Sequence, residues 1–424
     1  MWAAVLTVTC SVLSQAAATG EELRLEVRRL VQQLDAPTLA QREAAEEALT
    51  RLGAEILPLL PRGEPRGSAE VRLRLDRVRR VLEQQAGRRA AEASVVTLSA
   101  DGMELSKVLA ELQRQSGNRI VDARRELGQP ADDVAIHAKF EKTPFWKALD
   151  QVLDEAGLTV YPYAADRAIH LVARPEGQSP RGRAACYSGP FRFEPLRVVA
   201  QRNLRDAEGD SLRVAVEVAW EPRLRPIGLD HPMAGLSALD ETGAAIAPLD
   251  AQAVYEVTAR DEASAAELVV PLKLPPRRVE RIDRLRGAVG AMLPGAIETF
   301  RFDKLVESKN VEQRQAGATV TLVGVRRNNE LWQVLIRVRY DDAGDALQSH
   351  RGWIFRNEAY LEQPDGTRLA YDALETTSQS RNEVGIAYGF ALDAPPDKMA
   401  FVYRTPGTIV RARFDYELGR LDLP

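Results

Sequence analysis

One stretch of this chain occurs twice. Leu105-Ser-Lys-Val108-Leu109-Ala-Glu-Leu112-Gln-Arg-Gln-Ser116-Gly117 returns 40 residues later as Phe145-Trp-Lys-Ala148-Leu149-Asp-Gln-Val152-Leu153-Asp-Glu-Ala156-Gly157. In both copies the apolar positions fall at i, i+3, i+4 and i+7, the spacing of an amphipathic helix. Gly117 and Gly157 are placed to stop the two helices in a left-handed conformation. Thr143-Pro144 reads as N-cap and first turn of the second helix. The offset extends upstream, where Val96 matches Ile136 and Leu98 matches Ala138, so the repeated unit is a strand plus a helix. Val134 to Phe140 alternates apolar and polar residues, as a half-buried strand does. With short strands at Val95 to Leu98, Arg119 to Asp122, Leu158 to Tyr163 and Arg167 to Ala173, the order is βαββαββ. Two helices are expected on one face of a small sheet.

Thr97-Leu98 with Leu105, Val108, Leu109, Leu112 and Ser116-Gly117, and the Thr143-Pro-Phe-x-x-Ala-Leu149 run, resemble the short N-terminal domain shared by secretins and TonB-dependent receptors. The resemblance covers residues 94–173 and implies a periplasmic, protein-binding module without catalytic residues. No outer-membrane barrel or secretin ring pattern follows in this chain, so a receptor or pore role does not transfer.

The flanking segments give a multidomain α+β chain. Residues 1–20 pair an uncharged apolar run, Trp2 to Leu13, with the small residues Ala16-Ala-Ala18, the layout of a cleavable signal peptide. That run is too short to span a bilayer. Thr7 and Thr9 upstream of Cys10 do not fit a lipoprotein signal. Cleavage would leave Cys186 alone, which is read as a small apolar side chain at a strand start. Residues 21–92 carry helical periodicity, with Thr38 as an N-cap and Gly53 as a stop. Arg42-Glu-Ala44-Ala45-Glu-Glu-Ala48-Leu49 and Leu52-Gly53 resemble the inner helix of a HEAT repeat, which implies a helical segment that leans on another domain. Arg72, Arg74, Arg77, Arg79 and Arg80 are interleaved with acids and read as a solvated face, with no aromatic platform for bases.

Residues 174–184 are rich in Pro, Gly and Ser and read as a linker. Beyond them, alternating runs such as Leu212 to Trp220 and Trp332 to Tyr340, punctuated by turns, predict two β-sandwiches, at 185–290 and 300–424. These resemble modules of bacterial envelope proteins.

No site for chemistry emerges. The 57 basic and 61 acidic residues nearly cancel, which argues against a nucleic-acid surface. His137, His170, His231 and His350 lack the spacing of a zinc site. His137 and His170 are expected on exposed strand faces. Gly287 to Gly295 lacks the lysine of a phosphate loop and reads as a strand and turn. Asp341, Asp342 and Asp345 read as an acidic turn, with calcium as the alternative. The chain is therefore expected to be a non-enzymatic, exported envelope scaffold that needs no cofactor and binds protein partners through the αβ module. Partner contacts are assigned to Arg119, Val121 and His170. The alternative is a carbohydrate- or cell-wall-binding protein whose C-terminal sandwich exposes Trp353, Phe355 and Tyr360 to a polysaccharide.

Overall fold

The computed structural model describes residues 20–61, 68–161, 166–205, 209–257, 263–341 and 351–424. The expected signal segment lies outside them, apart from its last residue. The chain is an α+β protein in which N-terminal helices precede many antiparallel sheets. In order, the elements begin with α1 (20–33), α2 (Leu39–Leu52), a 3-10 turn (Ala54–Leu59) and α3 (Ala69–Ala90). Next come β1 (Val95–Glu104), α4 (Leu105–Ser116), β2 (Ile120–Asp122), β3 (Ala135–Pro144), α5 (Phe145–Ala156), β4 (Leu158–Val160) and β5 (Ile169–Ala173). Then follow β6 (Cys186–Ser188), β7 (Phe191–Gln201), β8 (Ser211–Trp220), β9 (Gly228–Pro232), β10 (Ser237–Asp240), β11 (Ala245–Ile246), β12 (Val254–Val257), β13 (Ala265–Leu272) and β14 (Arg281–Pro294). The last run is β15 (Ile297–Phe302), β16 (Val311–Gln315), β17 (Ala318–Asn328), β18 (Leu331–Tyr340), β19 (Ala359–Glu362), β20 (Arg368–Ala370), β21 (Ala373–Gln379), β22 (Glu383–Ala391), β23 (Ala400–Pro406) and β24 (Ile409–Asp422). The chain forms two compact units, each made of separated segments: 1–89 with 294–410, and 90–293 with 411–424. No helix among the described residues is long and apolar enough to cross a membrane.

In the first unit the helices bury the stripe their spacing predicts, including Val27, Leu30, Leu34, Leu49, Val78 and Leu82. The Thr38 hydroxyl accepts from the Gln41 N–H at the start of α2, and Gly53 closes it at φ +87°. The short third helix is a 3-10 turn, and α3 runs five residues past the expected end at Gln85. Three arginines of α3 are held by internal partners: Arg74 and Arg77 by Glu46 (2.7 and 3.0 Å), and Arg79 by the Pro61 carbonyl. The strands form two antiparallel sheets, β15-β23-β19-β20 and β16-β17-β18-β22-β21. Phe401 and Tyr403 of the one meet Tyr388 and Phe390 of the other.

In the second unit, sheets β13-β8-β7-β6 and β11-β10-β14-β9-β12 close on one core. The last strand, expected inside the 300–424 segment, instead pairs with β14, and its Phe414, Tyr416, Leu418 and Leu421 belong to this core. Gly287 and Gly290 lie within β14, where a Cβ would strike Tyr416 and the Asp230 carboxylate. Close approach is what these glycines permit.

The repeat is visible residue by residue. β1 and β3 begin 40 residues apart, as do α4 and α5, and Val96 and Ala100 are buried as Ile136 and Phe140 are. Gly117 and Gly157 both adopt the left-handed conformation at the helix ends. Three expectations need correction. β1 continues to Glu104 and β3 to Pro144, because the two strands pair with each other from Val95↔Pro144 to Glu104↔Ala135. Thr143 therefore belongs to a strand, and Pro144 is the N-cap of α5 rather than its first turn. The strands also do not form one sheet: β1 and β3 make a two-stranded ribbon, and β2-β5-β4 a separate sheet with β2 parallel to β5.

Candidate functional site

The second copy of the repeat is fastened down by buried carboxylates. Trp146, Asp150 and Asp154 lie at i, i+4 and i+8, on one face of α5. Asp150 is fully buried. Its Oδ1 takes the Arg181 Nε at 2.9 Å, and its Oδ2 takes the Arg192 Nε at 2.6 Å and the Tyr187 hydroxyl at 2.8 Å. Burial and the Asp150 charge push the Tyr187 hydroxyl above its ordinary range. Asp154 accepts from Arg174 at 2.6 Å and from the backbone N–H groups of Arg181 and Gly182 at 2.7 and 2.8 Å. The Trp146 indole donates to the Pro190 carbonyl at 3.1 Å. The stretch read as a linker is thus strapped across α5. A buried charge is tolerated only when its lone pairs are matched, and here every carboxylate oxygen is.

A second hub lies at Glu221, also fully buried. It accepts from the Ser94 N–H (2.9 Å) and hydroxyl (2.6 Å), the Asn118 amide (2.9 Å) and Arg223 (2.6 Å). Together the two hubs fix the αβ module to β6, β7 and the end of β8.

The first copy carries the same helix face uncovered. Ser106, Ala110 and Arg114 stand where Trp146, Asp150 and Asp154 stand in the second, and all three are exposed. Beside them a groove of about 470 Å³ lies between α4 and β2, lined among others by Leu109, Ala110, Gln113, Ile120, Arg125 and Asp133. The bonds Ile169 N–H to Arg119 carbonyl and Ala123 N–H to Leu171 carbonyl turn Arg119, Val121 and Ala123 toward β5. Ile120 and Asp122 therefore turn their backbone groups to the open edge, where Gln113 caps the Ile120 N–H at 2.9 Å. The acids of the groove are internally committed, Asp122 to Arg124 (2.7 Å) and Asp133 to the Ser106 N–H (2.9 Å) and hydroxyl (2.6 Å).

The residues singled out by sequence sit as follows. Val121 and His170 are register partners across β2 and β5, and Arg119 and His170 share Asp166 at 3.2 and 2.7 Å. The three are thus adjacent, but His170 is largely covered by this contact, whereas His137 is exposed as expected. Trp353 is not an exposed sugar platform. It is buried and packs on Tyr340, and Tyr360 is buried beneath Arg368, while Phe355 is half-buried. Asp341 pairs with Arg314 at 2.5 Å, and Asp342, Asp345 and His350 lie outside the described residues. No group of three metal-ligating side chains occurs among the described residues. Cys186 is half-buried at the start of β6, its sulfur accepting the Glu417 N–H at 3.4 Å.

Sequence reasoning missed Asp150, Arg192 and Glu221. The one available signal was a charged residue on a helix face where the sister copy has alanine, Asp150 against Ala110. Two further ionisable groups, Glu83 and His231, are buried, which their local sequence does not show. Glu83 of α3 has no hydrogen-bond partner for either oxygen. Burial and the nearby Glu298 charge push its carboxyl up to about 8. His231 sits with its Nε2 2.8 Å from the Tyr416 hydroxyl, and burial pushes it down to about 4.

No family model matches the chain, and no curated protein does. Among solved structures, one titled as the conserved domain protein from Bacillus anthracis is similar over 55% of this chain and 89% of its own, at 11% identity and a TM-score of 0.15. At that score the likeness carries no argument.

Proposed function

We propose that this chain is a non-enzymatic, exported envelope scaffold that binds protein partners through its αβ module. The reading takes residues 94–173 as a relative of the short N-terminal domain of secretins and TonB-dependent receptors, residues 21–92 as HEAT-like, and the sheets beyond as β-sandwiches. One observation carries it: the second copy of the repeat is consumed in anchoring, while the first presents an uncovered helix face and a free strand edge. Such an asymmetry is what a display platform needs, since a rigid mount lowers the entropy lost when a partner docks. Buried Asp150 of the module is spent on Arg181 and on Arg192 of β7, and holds these elements together. The polysaccharide alternative loses its motive with Trp353 and Tyr360 buried.

The test places a photo-crosslinking amino acid at Lys107, on the exposed side of α4, in the otherwise intact chain. Exposed to an envelope extract, it is expected to give discrete protein adducts that an excess of unlabelled chain suppresses. No suppressible adduct from any exposed position of residues 94–173, together with binding on a glycan array, would overturn the reading.

A further inference from the structure

The duplication states what the open groove is shaped to hold. In the second copy the face of α5 is covered by the chain itself: residues 181–182 and 187–192 cross it, gripped through Asp154 on their backbone and through Asp150 on their cations. The first copy has the same face, with no segment of this kind across it. Its strand β2, which like β4 is an edge of the sheet β2-β5-β4, leaves the Asp122 N–H and the Ile120 and Asp122 carbonyls unpaired by β5.

We infer that the groove between α4 and β2 takes an extended acidic segment of a partner protein. The segment crosses α4 as residues 181–192 cross α5 and hydrogen-bonds to the β2 edge. This rests on the reading of residues 94–173 as a protein-binding module. Strand addition gives affinity through the main chain and selectivity through alternate side chains. The sign of the charge follows from the comparison of copies. The second copy grips arginines with Asp150 and Asp154. The first replaces these with Ala110 and Arg114, and adds Arg125, exposed beside Asp122. Its acids are already taken: Asp122 by Arg124, and Asp133 by Ser106. A cationic segment would meet Arg125, whereas an acidic one finds it available at the surface; Arg114, outside the groove, is already held by Glu111. Leu109 and Ile120 supply the apolar wall for the residues on either side of the acid.

The experiment selects a displayed random-peptide library on the intact chain and measures the enriched peptide, synthesised and labelled, by fluorescence anisotropy. The expected winner places Asp or Glu between alternating apolar residues. Its affinity is expected to fall at least about thirtyfold for A110E and for R125E, a hot-spot-sized loss. Exchanging the peptide's acid for lysine is expected to restore binding to R125E, an outcome that misfolding would not produce. The Asp122 amide is expected to exchange more slowly in the complex. A selection without acidic preference, binding indifferent to both substitutions, or an unchanged Asp122 amide would each overturn the inference. If the peptides crosslink to another face of residues 94–173, the groove is wrong and the binding module stands. If nothing binds that segment and the envelope extract yields no adduct, both fall.

Discussion

At the scale of single residues, burial has moved one ionisable group in each unit, Glu83 and His231, in opposite directions. Glu83, in the unit of residues 1–89 and 294–410, has its carboxyl raised from the ordinary 4.5 to about 8 by burial and then by Glu298. A raised folded value means that the folded state holds a proton the unfolded chain has released. Stability is therefore full below about pH 4.5 and falls as pH rises toward 8, with a slope approaching about 1.4 kcal/mol per pH unit. His231, in the other unit, is lowered by burial from 6.5 to about 4, so its contribution is full above pH 6.5 and is lost as pH falls toward 4. Calorimetry across pH is expected to show one transition weakening toward alkali and the other toward acid. E83Q is expected to flatten the alkaline slope alone. The same slope in E83Q as in the parent would disprove the assignment.

At the scale of elements, what periodicity could show and what it could not are cleanly divided. The helices of the repeat, their glycine stops and the span of β18, Leu331–Tyr340, follow from local pattern, because a 3.6-residue or two-residue alternation registers burial on one side. The pairing of β1 with β3 does not, since it makes neighbours of residues distant in sequence, from Val95↔Pro144 to Glu104↔Ala135, and that pairing is what draws Thr143-Pro144 out of the helix. The candidate groove was half legible. Strand 119–122 was named, but the side of it that stays open depends on which residues β5 takes. The anchoring of α5 was hidden because Asp150 reads as an ordinary exposed helix position until Arg192 of β7 arrives from 42 residues away. That anchoring is testable. Asp150→Ala leaves Arg181 and Arg192 buried without their carboxylate, a loss of about 3 to 5 kcal/mol. Urea denaturation of the unit is expected to shift accordingly, whereas Asp101→Ala, on the exposed ribbon, is expected to leave it within about 0.5 kcal/mol of the parent. A neutral Asp150→Ala would remove the hub from the account.

At the scale of the whole molecule, neither unit is a continuous stretch of chain. Residues 411–424 supply Phe414, Tyr416, Leu418 and Leu421 to a core otherwise built from 185–293. Each such side chain is worth about 1.5 to 3 kcal/mol on burial, against a total of about 5 to 15 kcal/mol for a typical domain. Deleting 411–424 is expected to expose 185–293 to limited proteolysis while 294–410 stays protected, and persistent protection of both would contradict the shared core. The interleaving has a bearing on how the chain is made. During synthesis the helices of 20–89, whose apolar cluster is their own, can pack as they appear, whereas the core of 185–293 cannot close before 411–424 has been made. Until β24 emerges, Phe191 and Phe193, against which Phe414 and Tyr416 pack, stay open to chaperones, and this strand acts as the clasp of that core.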